Sequence, residues 1–157
     1  MTPKEALKYL SELELNYKKL QYPNYPETYF KLETYSDANE KGIKKSIDSF
    51  FKFTGTGKMG SVTSTGRYIN DSKMVTDVLG RQRTVGTGKW VKSSQTAGIS
   101  DTICMFKGGT YFIEIKAGKD RMRESQKKFE ESLNKFGGGN YVVVHTFLDF
   151  LNFYNSK

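Results

Sequence analysis

The chain has 157 residues, enough for one compact domain with a real core. Its 25 Lys and Arg against 17 Asp and Glu leave a formal charge of +8, which favours a polyanionic partner. The single cysteine, Cys104, excludes an internal disulfide and a cysteine zinc set, and there is no secretory core or bilayer-length apolar run. The expectation is an intracellular, cytoplasmic protein with no membrane partner.

Thr2 to Leu20 carries Ala6, Leu7, Leu10, Leu13, Leu15, Tyr17 and Leu20 at near-helical spacing, with Thr2-Pro3-Lys4-Glu5 as its start. Pro23 to Pro26 breaks that helix. Residues 1–38 read as an N-terminal helical extension, packed on the rest or used for dimerisation, and residues 39–157 as the main domain. Glu40 to about Phe53 predicts a second helix with Ile43, Ile47, Phe50 and Phe51 as its buried stripe. Glu40 can close a capping box on Asp37 there. Val62 to Ile69 predicts the first core strand and carries Arg67. Asp71 to Ala97 is glycine-rich and basic. Val75–Val78 and Arg83–Val85 flank Leu79-Gly80 as a hairpin, and the remainder reads as a mobile loop. Its Arg81, Arg83, Lys89 and Lys92 are candidate DNA contacts, and Trp90 either stacks on a base or anchors the loop.

Gly98 to Lys116 predicts two short strands joined at Gly108-Gly109. With those glycines as the loop, Asp101 opposes Lys116 and Glu114 is the diagonal neighbour of Asp101, all on one face. Charges among such apolar neighbours are costly unless they are paired or hold a metal. Two carboxylates suit a hard divalent cation such as Mg²⁺, which polarises a phosphate and activates water, and the lysine can orient that water or stabilise developing charge. Cys104 points away from this face, as a small core residue.

A helix follows, to Phe136, with Met122, Gln126, Phe129, Leu133 and Phe136 on one stripe. Gln126 is the polar member of that stripe and needs a partner, for which a metal-bound water or an active-site carboxylate would serve. Lys119, Arg121 and Arg123 at the helix entrance are candidate phosphate contacts. Gly137 to Gly139 stops the helix, and Tyr141 to His145 predicts an apolar strand whose His145 reads as structural. Thr146 to Tyr154 predicts a terminal helix with more apolar surface than one-sided packing needs, so part of it is offered to a second subunit.

The pattern Asp101, twelve residues, Glu114-Ile115-Lys116 resembles the PD-(D/E)XK nuclease signature. G-I-S-D, I-E-I-K, S-Q-K-K-F and G-G-N-Y-V-V-V resemble more narrowly the VRR-NUC group, over roughly Asn39 to Phe150. The departure is Ser100, where that family usually has proline, which changes backbone stiffness ahead of Asp101. The resemblance implies a restriction-endonuclease-like core, a nuclease domain over residues 39–157, and cutting of branched DNA by homodimers, as in standalone phage members and Holliday-junction resolvases. It implies Asp101 and Glu114 as metal ligands for Mg²⁺, with Mn²⁺ expected to substitute, and Lys116 and Gln126 as their catalytic companions. It also implies an acidic group near Glu40, as a third ligand, and an arginine near the phosphate path, as Arg67.

The expected fold is therefore α/β, a central mixed sheet of about four strands flanked by helices in the order α-β-β-β-α-β, with an extra N-terminal helix. The expected function is metal-dependent endonuclease on DNA, on branched DNA such as Holliday junctions, in a bacterial or phage-infected cell. A restriction- or repair-type nuclease, and a non-catalytic DNA-binding module, are the alternatives.

Overall fold

Helix α1 (Pro3–Gln21) starts on a reciprocal cap: Glu5 N–H donates to the Thr2 hydroxyl, Thr2 N–H donates to the Glu5 carboxylate, and Pro3 sits in the first turn. Its buried Ala6 and Leu10 join the same core as helices α2 (Glu40–Thr54) and α4 (Phe147–Ser156). Glu14 is buried on that helix and fully engaged. It accepts from Tyr35 Oη at 2.8 Å and Glu33 N–H at 3.0 Å, and pairs with Lys18 at 2.6 Å, which fastens the segment after the Pro23–Pro26 break to α1. Burial pushes its carboxyl up, but those bonds outweigh burial and hold it below its ordinary value of 4.5. That stabilisation is present above 4.5 and lost as pH falls through the folded value.

The computed structural model describes residues 1–62, 67–70, 72–86, 88–91, 98–136 and 140–157. They fall into two units, Met1–Val62 with Ala97–Lys157, and Thr63–Thr96. The first unit holds strands β1 (Gly57–Ser61), β6 (Thr102–Phe106), β7 (Gly109–Ile115) and β8 (Tyr141–Val144) in a mixed sheet of order β1-β6-β7-β8. β1, β6 and β7 run antiparallel, and helix α3 (Glu124–Lys135) carries the chain to β8, which lies parallel to β7. The order α2-β1-β6-β7-α3-β8 is the expected one, preceded by α1.

One sheet face presents Cys104, Phe106, Tyr111, Ile113, Ile115 and Val144 to Ile43, Ile47, Phe50 and Phe51 of α2 and Phe147, Phe150 and Leu151 of α4. Burial of the Cys104 thiol in this core pushes it up to about 12. The opposite face is covered by α3, whose Phe129 ring packs at 5.6 Å from Phe112 and 6.2 Å from Tyr141.

Four expectations are corrected. The first core strand is Gly57–Ser61, not Val62 to Ile69, and residues 67–69 form strand β2 (Arg67–Ile69) of the second unit. The stretch expected as a mobile loop contains strand β5 (Lys89–Val91), paired with β2. Phe136 is 82% exposed and drops out of the α3 stripe, because the helix ends at Lys135. The hairpin loop is Lys107-Gly108, not Gly108-Gly109, with φ of +46° and +77° at the two central positions, as a tight primed turn requires. That places Gly109 opposite Phe106, and the Tyr111 ring lies over Gly109 to stack on Phe106 at 4.4 Å. The strained Lys107 is compensated by α4: its ammonium donates to the Tyr154 carbonyl at 2.8 Å and sits 4.3 Å from that ring's centroid.

The apolar residues of α4 are largely used inside the fold: Leu148, Phe153 and Tyr154 pack partly buried against the core. Among the described residues no helix is long and apolar enough to cross a membrane. The second unit pairs β2 with β5 and strand β3 (Lys73–Thr76) with β4 (Gln82–Val85), so the expected hairpin around Leu79-Gly80 is present. Lys92 and the glycines 137–139 lie outside the described residues.

Candidate active site

The new loop position moves every cross-strand pair of β6 and β7 by two residues, and side-chain parity is therefore kept. Thr102 faces Ile113 at the end of the ladder, so one further step sets Asp101 opposite Glu114, with Lys116 as the diagonal neighbour. The two carboxylates are thus closer in register than the sequence suggests.

Glu114 is fully buried and Lys116 only 4% exposed. The Lys116 ammonium pairs with Glu114 Oε1 at 2.8 Å and with Asp120 Oδ2 at 3.2 Å. Burial pushes the lysine pKa down, but the Glu114 and Asp120 bonds outweigh it and raise it above its ordinary value. Tyr141 Oη donates to Glu114 Oε2 at 3.3 Å. Burial, with the carboxylate beside it, pushes that phenol up. Gln126 Nε2 also donates to Glu114 Oε1, while its own Oε1 accepts from Arg123 N–H at 2.8 Å. The amide therefore links the first turn of α3 to the β7 carboxylate, and of the two expected partners for its burial it meets the carboxylate.

Asp101 is exposed at the β6 entrance, and among the described residues its carboxylate has no hydrogen-bond partner. Its backbone is held instead. The Asp101 carbonyl accepts from Val62 N–H at 2.9 Å and from Lys44 of α2 at 3.4 Å. Ser100 is fully buried and its hydroxyl donates to the Thr102 carbonyl at 2.9 Å, fixing by hydrogen bond the backbone that a proline ring would stiffen. Gly98 sits at φ +86°, where a β-carbon would lie 2.0 Å from the Ser125 carbonyl oxygen. Only glycine lets this segment lie against the turn that carries Gln126.

Glu40 does not close a capping box on Asp37. Asn39 caps α2, accepting from Gly42 N–H at 2.8 Å, and Asp37 accepts from Phe147 N–H at 3.2 Å, capping α4 instead. Glu40 is left at the first turn of α2, exposed, beside Asp120 and within electrostatic reach of Asp101 and Lys116. What burial it has pushes its carboxyl up; Lys116 works against this, and the Asp101 and Asp120 carboxylates add to it.

The Lys116 ammonium thus pairs with the Glu114 and Asp120 carboxylates, and Glu40 stands within electrostatic reach of Lys116 and of the Asp101 and Asp120 carboxylates. The donors are all oxygens and their charge is in excess, which fits a hard divalent cation held by Asp101 and Glu114. Among the described residues no three acidic, His or Cys side chains stand as a ready cation set, and Glu114 is engaged by Lys116, Gln126 and Tyr141.

No family model, curated protein or solved structure matches this chain.

The remaining candidates divide between the two units. Lys119, Arg121 and Arg123 are exposed on the segment between β7 and α3, around Asp120, whose carboxyl is held low by Lys116 and by Arg121 N–H. Arg81, Arg83, Lys89 and Trp90 are exposed in the second unit, where Arg67 opens β2. Asp120, Tyr141 and Lys44 were not singled out from sequence. Asp120 had a signal, a carboxylate four residues after the key lysine; Tyr141 and Lys44 reach the site only through the parallel β7–β8 register and the packing of α2.

Proposed function

We propose that the chain is a metal-dependent endonuclease that hydrolyses DNA phosphodiester bonds, with branched DNA as its substrate and a homodimer as its working form. The observation that carries this reading is the buried Glu114–Lys116 ion pair at 2.8 Å, with Asp101 one residue before β6 at the end of the same ladder. Asp101 and Glu114 would hold Mg²⁺, or Mn²⁺ in its place, with Glu40 as the nearest further acid. When bound, the cation polarises the scissile phosphate and acidifies a water. Gln126 keeps the Glu114 carboxylate aimed, because its amide is anchored to the α3 backbone. Lys116, kept as an ammonium by two carboxylates, donates hydrogen bonds to negative oxygen as the water oxygen joins phosphorus and the bridging P–O bond breaks. Lys119, Arg121 and Arg123 supply exposed positive charge beside the site for the flanking phosphates.

The test is cleavage of linear duplex, flap and four-way junction by the purified chain, with and without Mg²⁺. Mg²⁺-dependent cutting that prefers the branched substrates is expected; no cutting of any DNA with Mg²⁺ or Mn²⁺ would contradict the reading. A dimer is expected by light scattering, since paired incisions on a symmetric junction need two sites. One observation favours a non-catalytic DNA-binding module: Glu114 is already satisfied by three protein donors. Calorimetric Mg²⁺ binding that vanishes in Asp101→Asn separates the enzyme from that module.

A further inference from the structure

The second unit holds two antiparallel pairs, β2–β5 and β3–β4, and the β3–β4 hairpin is a two-stranded ribbon. In that ribbon Lys73 opposes Val85 and Val75 opposes Arg83, while Met74 opposes Thr84 and Thr76 opposes Gln82. Opposed residues, and residues of equal parity along each strand, share a face. Lys73 and Arg83 therefore share one face with Val75 and Val85, and Arg81 follows at the tip. The other face carries Met74, Thr76, Gln82 and Thr84, with no charge. No described residue of the ribbon is buried.

The tip is built, not slack. The Asp77 carboxylate accepts from Leu79 N–H and Arg81 N–H, both at 2.9 Å, and lies 3.4 Å from Arg83 Nε. That turn holds Val78 fully exposed and Leu79 73% exposed, two apolar side chains with nothing to bury them.

We infer that this ribbon grips duplex DNA, its cationic face on the phosphates and its Val78–Leu79 tip wedged between bases. The inference rests on the proposed function for the identity of the polyanion. A two-stranded ribbon fits a major groove, and apolar wedges at base steps are a known way for proteins to hold DNA. The cationic face offers Lys and Arg without Asn or Gln, so it reads phosphate charge and not base edges, and binding is independent of sequence. An anionic membrane fits less well. It would call for interfacial aromatics beside the cations, and residues 73–85 contain none.

The test uses the full chain in chelator, where cutting cannot interfere, with a short fluorescein-labelled DNA duplex titrated by anisotropy at several salt concentrations. Arg81→Gln with Arg83→Gln should weaken binding about tenfold or more and flatten the log–log salt slope by about two. Met74→Ala with Thr84→Ala, on the uncharged face, should change neither. Val78→Ser with Leu79→Ser should abolish the fluorescence rise of a 2-aminopurine placed in the duplex. Unchanged affinity in the arginine pair overturns the grip, and a wedge signal that survives the serine pair overturns the wedge. Equal arginine dependence of binding to phosphatidylserine vesicles overturns the DNA assignment. Mg²⁺-dependent cleavage by the wild type is scored separately. Cleavage without ribbon-dependent binding removes the ribbon and keeps the nuclease; ribbon-dependent binding without cleavage removes the nuclease and keeps the grip.

Discussion

Hairpin β6–β7 and the ribbon β3–β4 both gather their charged residues on one face, by the same period-two alternation. In the first, Glu114 and Lys116 are buried, so each must be paired, and the pairing fixes their geometry to within a hydrogen bond. In the second, Lys73 and Arg81 are exposed, and among the described residues the ion pair of Arg83 with Asp77 organises the tip. Buried charge is positioned by the fold and suited to chemistry. Exposed charge is left for a partner, and its worth depends on salt.

The largest break in that comparison is Glu114→Ala. It strands the Lys116 ammonium, the Gln126 amide and the Tyr141 hydroxyl in a closed space. A loss of about 3–5 kcal/mol in urea denaturation is expected; a loss below about 1 kcal/mol would mean the network relaxes into water. Lys116→Ala is next. It should slow single-turnover cleavage by about 10²-fold while DNA affinity holds, because in the proposed reaction the ammonium would act on charge that develops as the bond breaks. A change in affinity alone would make the lysine a phosphate anchor.

Gly98→Ala tests the mount of the first hairpin. A side chain there meets both an unfavourable φ and the Ser125 carbonyl, and about 1–3 kcal/mol of stability should be lost. Wild-type stability would show that the segment before Asp101 is free to shift. The smallest effect is expected in the ribbon: Arg81→Gln with Arg83→Gln should alter unfolding by no more than about 0.5 kcal/mol. A larger loss would make the Arg83–Asp77 pair structural and erase the contrast between the two hairpins.

The sequence carried the helices because their caps are local: Thr2 with Glu5, and the apolar stripe Ile43, Ile47, Phe50 and Phe51, need no tertiary information. It carried the shared face of Asp101, Glu114 and Lys116 because parity survives a two-residue change of pairing. The loop position was not legible, since Lys107-Gly108 and Gly108-Gly109 both suit a primed turn and only the packing of Phe106, Tyr111 and Tyr154 chooses. Strand β1 was hidden by its glycines. The role of Asp37 was hidden by distance, because the helix it caps begins 110 residues later. Tyr141 and Asp120 join the site through register and a turn, neither of which leaves a periodic trace.

The central claim is that Asp101 is a ligand and not part of the scaffold. Its carboxylate is exposed and, among the described residues, bonded to nothing, so Asp101→Asn should leave the melting temperature unchanged. The decisive measurement is the cleavage rate of a four-way junction by this variant across a Mg²⁺ titration, beside the wild type. The account predicts a rate that stays at the metal-free level at every Mg²⁺ concentration, in a fully folded protein. Cleavage near the wild-type rate at saturating Mg²⁺ would contradict it.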